Sequence, residues 1–433
     1  MKKTCFFLIL LIAIGCKSKK DFTVNNLTIK EENSTTISED SILNHNIKTV
    51  LLHKKEDALS LPIINLNSDE KLKLSFDDLN NELKKFYITI EHYNSNWEKS
   101  NLIKSEYING FFKDEIINYE YSFNTLQDYI HYQHFFPSEN LKPLISGNYK
   151  LKVFDNYGDT LIAKKFMILE NKVNIKLNIK KATLSSDRKT KHEIDFIINH
   201  PNLSISDPFS QINVVIKQNN KDDNAINDLK PIFIRNNQLI YDYNEENTFF
   251  GNNEFRHFDI KSLRYFSDRI KNIESDSLGY NVNLFEDYKR TYNNYSIEPD
   301  LNGKFYIKSQ EARNSDYEAE YVNVTFKLKS EFIKDGDIYI IGELTDWKLN
   351  TDYQLEYDFN KELYMKEIYI KQGYYNYHYA INDTTYKYYD VLSIEGSHYQ
   401  TRNSYEIYVY YKGNSDRYEK LIGFTKALSK ELF

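Results

Sequence analysis

The chain has 433 residues, with 56 Lys and Arg against 63 Asp and Glu, and its formal net charge of −7 disfavours gripping a phosphate backbone. Hydrophobic residues make up 41%, enough for several cores, which excludes wholesale disorder. Only 13 Gly and 7 Pro exclude collagen-like and Gly-rich phosphate-loop architectures, while 37 Tyr and 27 Phe favour pleated, half-buried strands.

Met1-Lys2-Lys3-Thr4 is a short basic start, followed by 10 apolar residues at 5–14. That run is too short to span a bilayer but suits the core of a signal peptide. It ends in Ala13-Ile14-Gly15-Cys16, which resembles a bacterial lipobox except that Ala13 stands where Leu is usual. The reading adopted is a lipoprotein signal at 1–15, with Cys16 becoming the lipidated first residue. The alternative is an ordinary secretory signal with an incidental cysteine. Cys5 leaves with the signal, so the mature chain would hold no disulfide and no cysteine-bound metal. Lys17 follows the cysteine, and resemblance to lipoproteins of Gram-negative bacteria without Asp there implies the outer membrane. Residues 16–45 are the lipidated cysteine and a polar tether, able to span about 30 Å as a flexible coil.

From residue 46 the dominant pattern has period two, the mark of strands with one dry face. Val173, Ile175, Leu177 and Ile179 alternate with polar residues, as do Val322, Val324, Phe326 and Leu328. Phe86, Ile88 and Ile90 follow the same rule, as do Tyr149, Leu151 and Val153 and the late run Tyr405, Ile407, Val409 and Tyr411. Turn signals such as Ser146-Gly147-Asn148 and Asp335-Gly336-Asp337 separate the runs. The expected fold class is all-β, a tandem series of immunoglobulin-like β-sandwiches after the signal and tether. The expected domains are an N-terminal sandwich at 46–170, a middle β-domain with an irregular segment at 171–312, and a C-terminal sandwich at 318–433. Within the irregular segment, 259–273 is expected to form a short helix.

Catalytic signatures are missing: there is no G-x-G-x-x-G, no G-x-x-x-x-G-K-[ST], no G-x-S-x-G and no H-E-x-x-H. His131 and His134 stand three apart, which on a strand points them to opposite faces and argues against a shared metal ion. Asp77-Asp78 and Asp222-Asp223 are adjacent pairs, not the across-cleft arrangement of glycoside hydrolysis. No enzyme activity, cofactor, metal or nucleic-acid partner is expected.

The run Ile338 to Trp347, IYIIGELTDW, resembles the strand–turn–Trp opening of early-set immunoglobulin-like domains, the group that includes glycogen-binding modules. Tyr374 to Ala380, YYNYHYA, fits their second strand. Trp347 has two readings, a plug in the sandwich core or a platform for a sugar ring. The tyrosine-rich runs Tyr386-Lys387-Tyr388-Tyr389 and Tyr405 to Tyr411 put rings on both faces of a strand, either for packing between domains or for an external partner.

Further runs carry a broader resemblance. They include Leu74 to Leu79 (LSFDDL), Tyr87 to Trp97 (YITIEHYNSNW), Gly251 to Arg256 (GNNEFR), Asp300 to Gly303 (DLNG), Glu318 to Tyr321 (EAEY) and Lys371 to Tyr377 (KQGYYNY). Together they resemble the type IX secretion system plug proteins of the Bacteroidetes, and they run in order along nearly the whole mature chain. The departure is at Lys217 to Asn224, where the family pattern has an Arg and an aromatic. The resemblance implies a non-enzymatic lipoprotein that occupies the periplasmic opening of the outer-membrane translocon barrel, for which a stiff rod of sandwiches would serve. It implies the barrel as partner, a membrane attachment at Cys16, and the periplasmic face of the outer membrane. The irregular stretch 249–258 is a candidate contact surface through Phe249, Phe250, Asn252, Asn253 and Arg256, or else an internal loop bracing two domains. The rival function is a glycan-binding outer-membrane lipoprotein using Trp347.

Overall fold

The computed structural model describes residues 41–42, 45–277, 279–382 and 389–429. Cys16, the signal and the tether up to residue 40 lie outside them, as does the Tyr386–Tyr388 part of one tyrosine run. The segment 38–433 is one compact unit. Its elements are almost all strands, as the alternating pattern predicts, and helices are single turns such as Lys104–Tyr107 and Leu392–Glu395. Among the described residues no helix is long and apolar enough to cross a membrane.

The first core lies between two sheets. One orders the strands Ser41–Ile42, Thr160–Leu169, Gly147–Phe154, Phe86–Tyr93 and Asp114–Ile116; the other orders Ile47–Lys54, Leu72–Asp78, Ile130–Phe136 and Asn118–Tyr121. The residues of period two point inward: Phe86, Ile88, Ile90, Tyr149, Leu151 and Val153 meet Leu72, Leu74 and Phe76, all fully buried or nearly so. Each such side chain contributes about 1.5–3 kcal/mol by leaving water.

The middle and third cores do not follow the expected boundaries. The strand Ile212–Gln218 pairs with Ser404–Tyr411, which pairs in turn with Lys420–Leu428. The C-terminal hairpin therefore completes the middle sandwich opposite Asn174–Lys181 and Lys191–Asn199, with Ile407, Val409 and Ile422 inside the same core as Ile194 and Phe196. The third core is built from 258–394 and is inserted into the middle one. It takes in Arg256–Asp259, Ile270–Asp276 and Gly279–Leu284, which the sequence had placed in the middle domain. Strands Asp337–Ile341 and Gly373–Asn382, which carry the early-set resemblance, pair antiparallel with Ile340 opposite Tyr379.

The helix expected at 259–273 is absent. Arg256–Asp259 ends in an Asp259 side chain that accepts from Lys261 N, and Ile270–Asp276 is a strand paired to Gly279–Leu284. The short apolar run there suits a helix face and a strand equally, and pairing with Tyr321–Lys329 through Gly279–Leu284 decides it.

Each core touches both others, so the sandwiches close on one another and the expected rod is not what forms. Tyr410 OH donates to Asn148 Oδ1 at 2.8 Å and Ser95 N to Glu419 Oε2 at 2.7 Å, joining the first core to the middle one. Lys371 Nζ donates to Asp77 Oδ2 at 2.6 Å and Tyr129 OH to Ala319 O at 2.8 Å, joining the first to the third.

Candidate functional site

The stretch 249–258 is a brace. Phe249 is buried in the middle core, and Asn253 donates through Nδ2 to Glu395 O at 2.9 Å. Arg256, on the strand paired with Gly373–Asn382, lies buried between two acids. Its Nε reaches Glu395 at 3.0 Å, Nη1 reaches Asp287 Oδ1 at 2.9 Å, and Nη2 donates to Tyr288 O at 2.7 Å. Arg290 adds a second cation to Glu395, and Tyr377 and Tyr379 hydroxyls donate to Asp287 Oδ2. Burial pushes the Glu395 carboxyl up, but Arg256 and Arg290 outweigh it and hold the group well below the usual carboxylate range. Of the five residues of the expected contact surface, Phe249, Asn253 and Arg256 are thus buried and Asn252 is half-buried. Phe250 alone is exposed, with the Lys191 ammonium 4.9 Å from its ring centre. The sequence left the contact surface and the internal brace both open, because the Glu395 partner of Asn253 and Arg256 sits more than 100 positions away.

Trp347 follows the short 3-10 turn Glu343–Thr345, and both Asp346 and Trp347 take left-handed backbone at φ 50° and 59°. Such residues cost on the order of 1 kcal/mol or more and persist where packing holds them. Here Gly303, itself at φ +81°, lies so close that a Cβ would sit 2.2 Å from Trp347 Cη2 and 2.8 Å from Phe255 Cε1. Phe255 meets the indole edge-on, and Lys221 lies 5.8 Å from its ring centre. Half-buried Trp347 thus wedges one side of its indole against Gly303 and Phe255. Gly303→Ala is expected to destabilise the protein by about 2–4 kcal/mol through overpacking and left-handed strain. Urea denaturation measures it, and a loss below about 0.5 kcal/mol would show that the wedge is not tight.

Trp97 also sits at a left-handed turn, φ 63°, and both tryptophans line one cavity of about 500 Å³ where the three cores meet. Several charges along its wall are paired, two of the pairs across cores. Lys164 bonds Asp346, Lys165 bonds Asp222 at 2.6 Å, and Lys217 also bonds Asp222. Burial raises the Glu343 carboxyl there, although Lys304 works against it. These pairs tie first, middle and third cores together.

The remaining sequence candidates have structural partners. His131 Nδ1 lies 2.7 Å from Asp77 Oδ1, whereas His134 faces Asp114 at 3.6 Å, so the two histidines go separate ways. Asp78 bonds Lys84 at 2.7 Å, and Asp223 lies 3.6 Å from Lys221. Glu193, Asp195 and Asp242 form an acidic cluster, but the Lys180 ammonium sits among them, 2.9 Å and 2.6 Å from the first two. The run Tyr405 to Tyr411 is taken up inside the chain, with Tyr408 and Tyr410 packed on Leu61, Ile63 and Met167 of the first domain.

Exposed apolar side chains occur on all three cores, and the first domain carries one run of them. Phe111, Ile117, Phe123 and Leu126 are 57–70% exposed, and every residue of the strand Asn118–Tyr121 is exposed at the end of its sheet. Sequence reasoning missed this surface, since an alternating strand looks the same whether it lies inside a sheet or at its margin. Smaller aromatic tips occur at Phe332 with Phe359 on the third core.

Residues 47–170, the span of the first core, match the family model described as type 9 secretion system plug protein 1st domain. The crystal structure of a hypothetical protein from Parabacteroides merdae ATCC 43184 is similar at a TM-score of 0.87 and 31% identity, covering 90% of this chain and 99% of that one. Residues 47–170 therefore belong to the type 9 secretion system plug protein 1st-domain family. At that TM-score and coverage the two chains share their overall fold. A biofilm-associated protein BSP domain reaches a TM-score of only 0.15 at 10% identity, over 90% of this chain and 60% of that one, and carries no argument. None of the curated proteins matches the chain.

Proposed function

We propose that this protein is a non-enzymatic plug of the type IX secretion translocon, which occupies the periplasmic opening of the outer-membrane barrel when no cargo passes. The match of residues 47–170 to the plug family carries the reading. Physical properties of the fold support it. Occlusion needs bulk and stiffness, and the first core is tied to the third by the buried Lys371–Asp77 pair and the Tyr129 hydroxyl and to the middle one by the Tyr410 hydroxyl. Three lysines at the junction cavity, Lys164, Lys165 and Lys217, are held by Asp346 and Asp222, which suits rigidity more than turnover. The packed state of Trp347 gives the glycan-binding alternative no support.

In this reading Cys16 carries the lipid and confines the plug to the membrane of its partner, raising its local concentration there. The test is a mild-detergent pull-down of tagged full-length protein from native membranes, with the captured partners identified by mass spectrometry. The translocon barrel is the expected major partner, and Cys16→Ser is expected to reduce its recovery several-fold while the soluble fold melts unchanged. Recovery of other partners without the barrel would overturn the plug reading; equal recovery with Cys16→Ser would overturn the role of the lipid.

A further inference from the structure

We propose that the edge strand Asn118–Tyr121 is the site at which the plug takes up an extended, apolar strand of its partner by backbone pairing. The strand pairs on one side only, with Ile130–Phe136, in the register Asn118 to Gln133 and Tyr121 to Ile130. Its hydrogen-bonding phase follows from the next residues. Ser122 N donates inward to Tyr129 O at 2.8 Å, so in the alternation of an antiparallel ladder Asn118 and Glu120 also face inward. Residues 117, 119, 121 and 123 therefore turn their backbone groups outward. Phe123 N confirms the phase: it donates outward to Tyr317 O of the third domain at 2.9 Å. Among the described residues, no backbone partner meets the outward groups of Tyr119 and Tyr121.

An open row of N–H and C=O groups accepts one class of occupant, another extended polypeptide. The side chains specify it further. Ile117 is 70% exposed, Tyr121 52% and Phe123 61%, so the incoming strand gains most by laying apolar residues over them. Glu120 is exposed and has no ion-pair partner among the described residues, so a Lys or Arg opposite it completes the match. Self-pairing of two copies with Tyr119 opposite Tyr121 would set Glu120 against Glu120, a like-charge contact that disfavours a second copy as occupant. Of the devices by which natural sheets blunt an edge, Pro and Lys do not occur in residues 117–123. The identity of the partner as the translocon rests on the plug reading above; the strand-accepting edge rests on the backbone geometry.

Hydrogen–deuterium exchange on the full-length protein, alone and bound to the detergent-solubilised translocon barrel, tests the inference. The amides of Tyr119 and Tyr121 are expected to exchange at least about tenfold more slowly in the complex, whereas those of Phe233–Arg235, an edge of the middle core, stay unchanged. Tyr121→Pro removes one outward N–H without touching the inward ladder. It is expected to weaken barrel binding about tenfold or more, and Tyr119→Lys to do the same by charge, while Phe359→Ala binds as the parent does. A complex that forms with no protection at 117–123, or that tolerates both edge variants when they fold, would overturn the edge site and leave the plug reading standing. Failure of the barrel to bind the parent protein would overturn both.

Discussion

Replacing Lys371 with Met will destabilise the protein by about 3–5 kcal/mol, the cost of leaving one member of a buried ion pair alone. Lys371 Nζ and Asp77 Oδ2 are 2.6 Å apart, and both side chains are 1% exposed. Asp77 also accepts from Tyr321 OH at 2.7 Å and lies 2.7 Å from His131 Nδ1, while Lys371 donates to Asp316 O and stands 4.2 Å from the Tyr129 ring centre. Burial pushes the Asp77 carboxyl up, but Lys371 and His131 outweigh that and hold it below the usual carboxylate range. With the ammonium removed, Asp77 keeps its charge in a dry seam between the first and third cores. The double variant Asp77→Leu/Lys371→Met is expected to recover most of the loss, because no charge is then stranded. Urea denaturation followed by tryptophan fluorescence reads both effects. A single-variant loss below about 1 kcal/mol would show that the seam is wet and the pair ordinary.

Acid will unfold the protein through its histidines before most of its carboxylates titrate. Burial lowers His92 and His192 to about 4 and His378 to about 3. His192 sits between Tyr405 OH and Tyr399 O, and His378 stacks on Phe255 with ring centres 3.9 Å apart. In the unfolded chain each takes up its proton near pH 6.5. Below that pH the unfolded state binds protons that the folded state refuses, so stability falls as pH falls, by about 1.4 kcal/mol per unit for each histidine until its folded pKa is reached. Asp300 opposes them. Burial raises it to about 7, so the folded state is protonated first and its contribution grows as pH falls from 7 towards the unfolded carboxylate range. Taken alone, these three histidines against Asp300 leave a net loss of about 4 kcal/mol between pH 6.5 and 5; burial also lowers His53, His134 and His398, which adds to the loss, and raises Glu254, Glu343 and Glu406, which opposes it. Guanidinium denaturation at pH 7.5 and 5.0 checks it, and equal midpoints would refute it. His192→Gln should flatten the net slope by roughly half, since one of three histidines goes while Asp300 still opposes the other two.

The strands themselves were legible. The alternation of Val322, Val324, Phe326 and Leu328 marks a strand with a dry face, and all four side chains are fully buried in Tyr321–Lys329. Trp347 was legible as a turn-flanking aromatic, though its wedge against Gly303 and Phe255 was not. The brace at 249–258 was open between two readings, and burial chose the internal one. Asp77 looked like half of an unremarkable acidic dipeptide, because its cation stands 294 positions later.

Period-two alternation tells each segment which of its faces must be dry, since successive side chains point to opposite sides. That local fact, with the composition, determined an all-β chain with several cores. It carries no information on which strand lies alongside, because every strand offers the same backbone donors and acceptors. The return of Ser404–Tyr411 to Ile212–Gln218, the insertion of the third core and the open edge at Asn118–Tyr121 were therefore decided by tertiary packing.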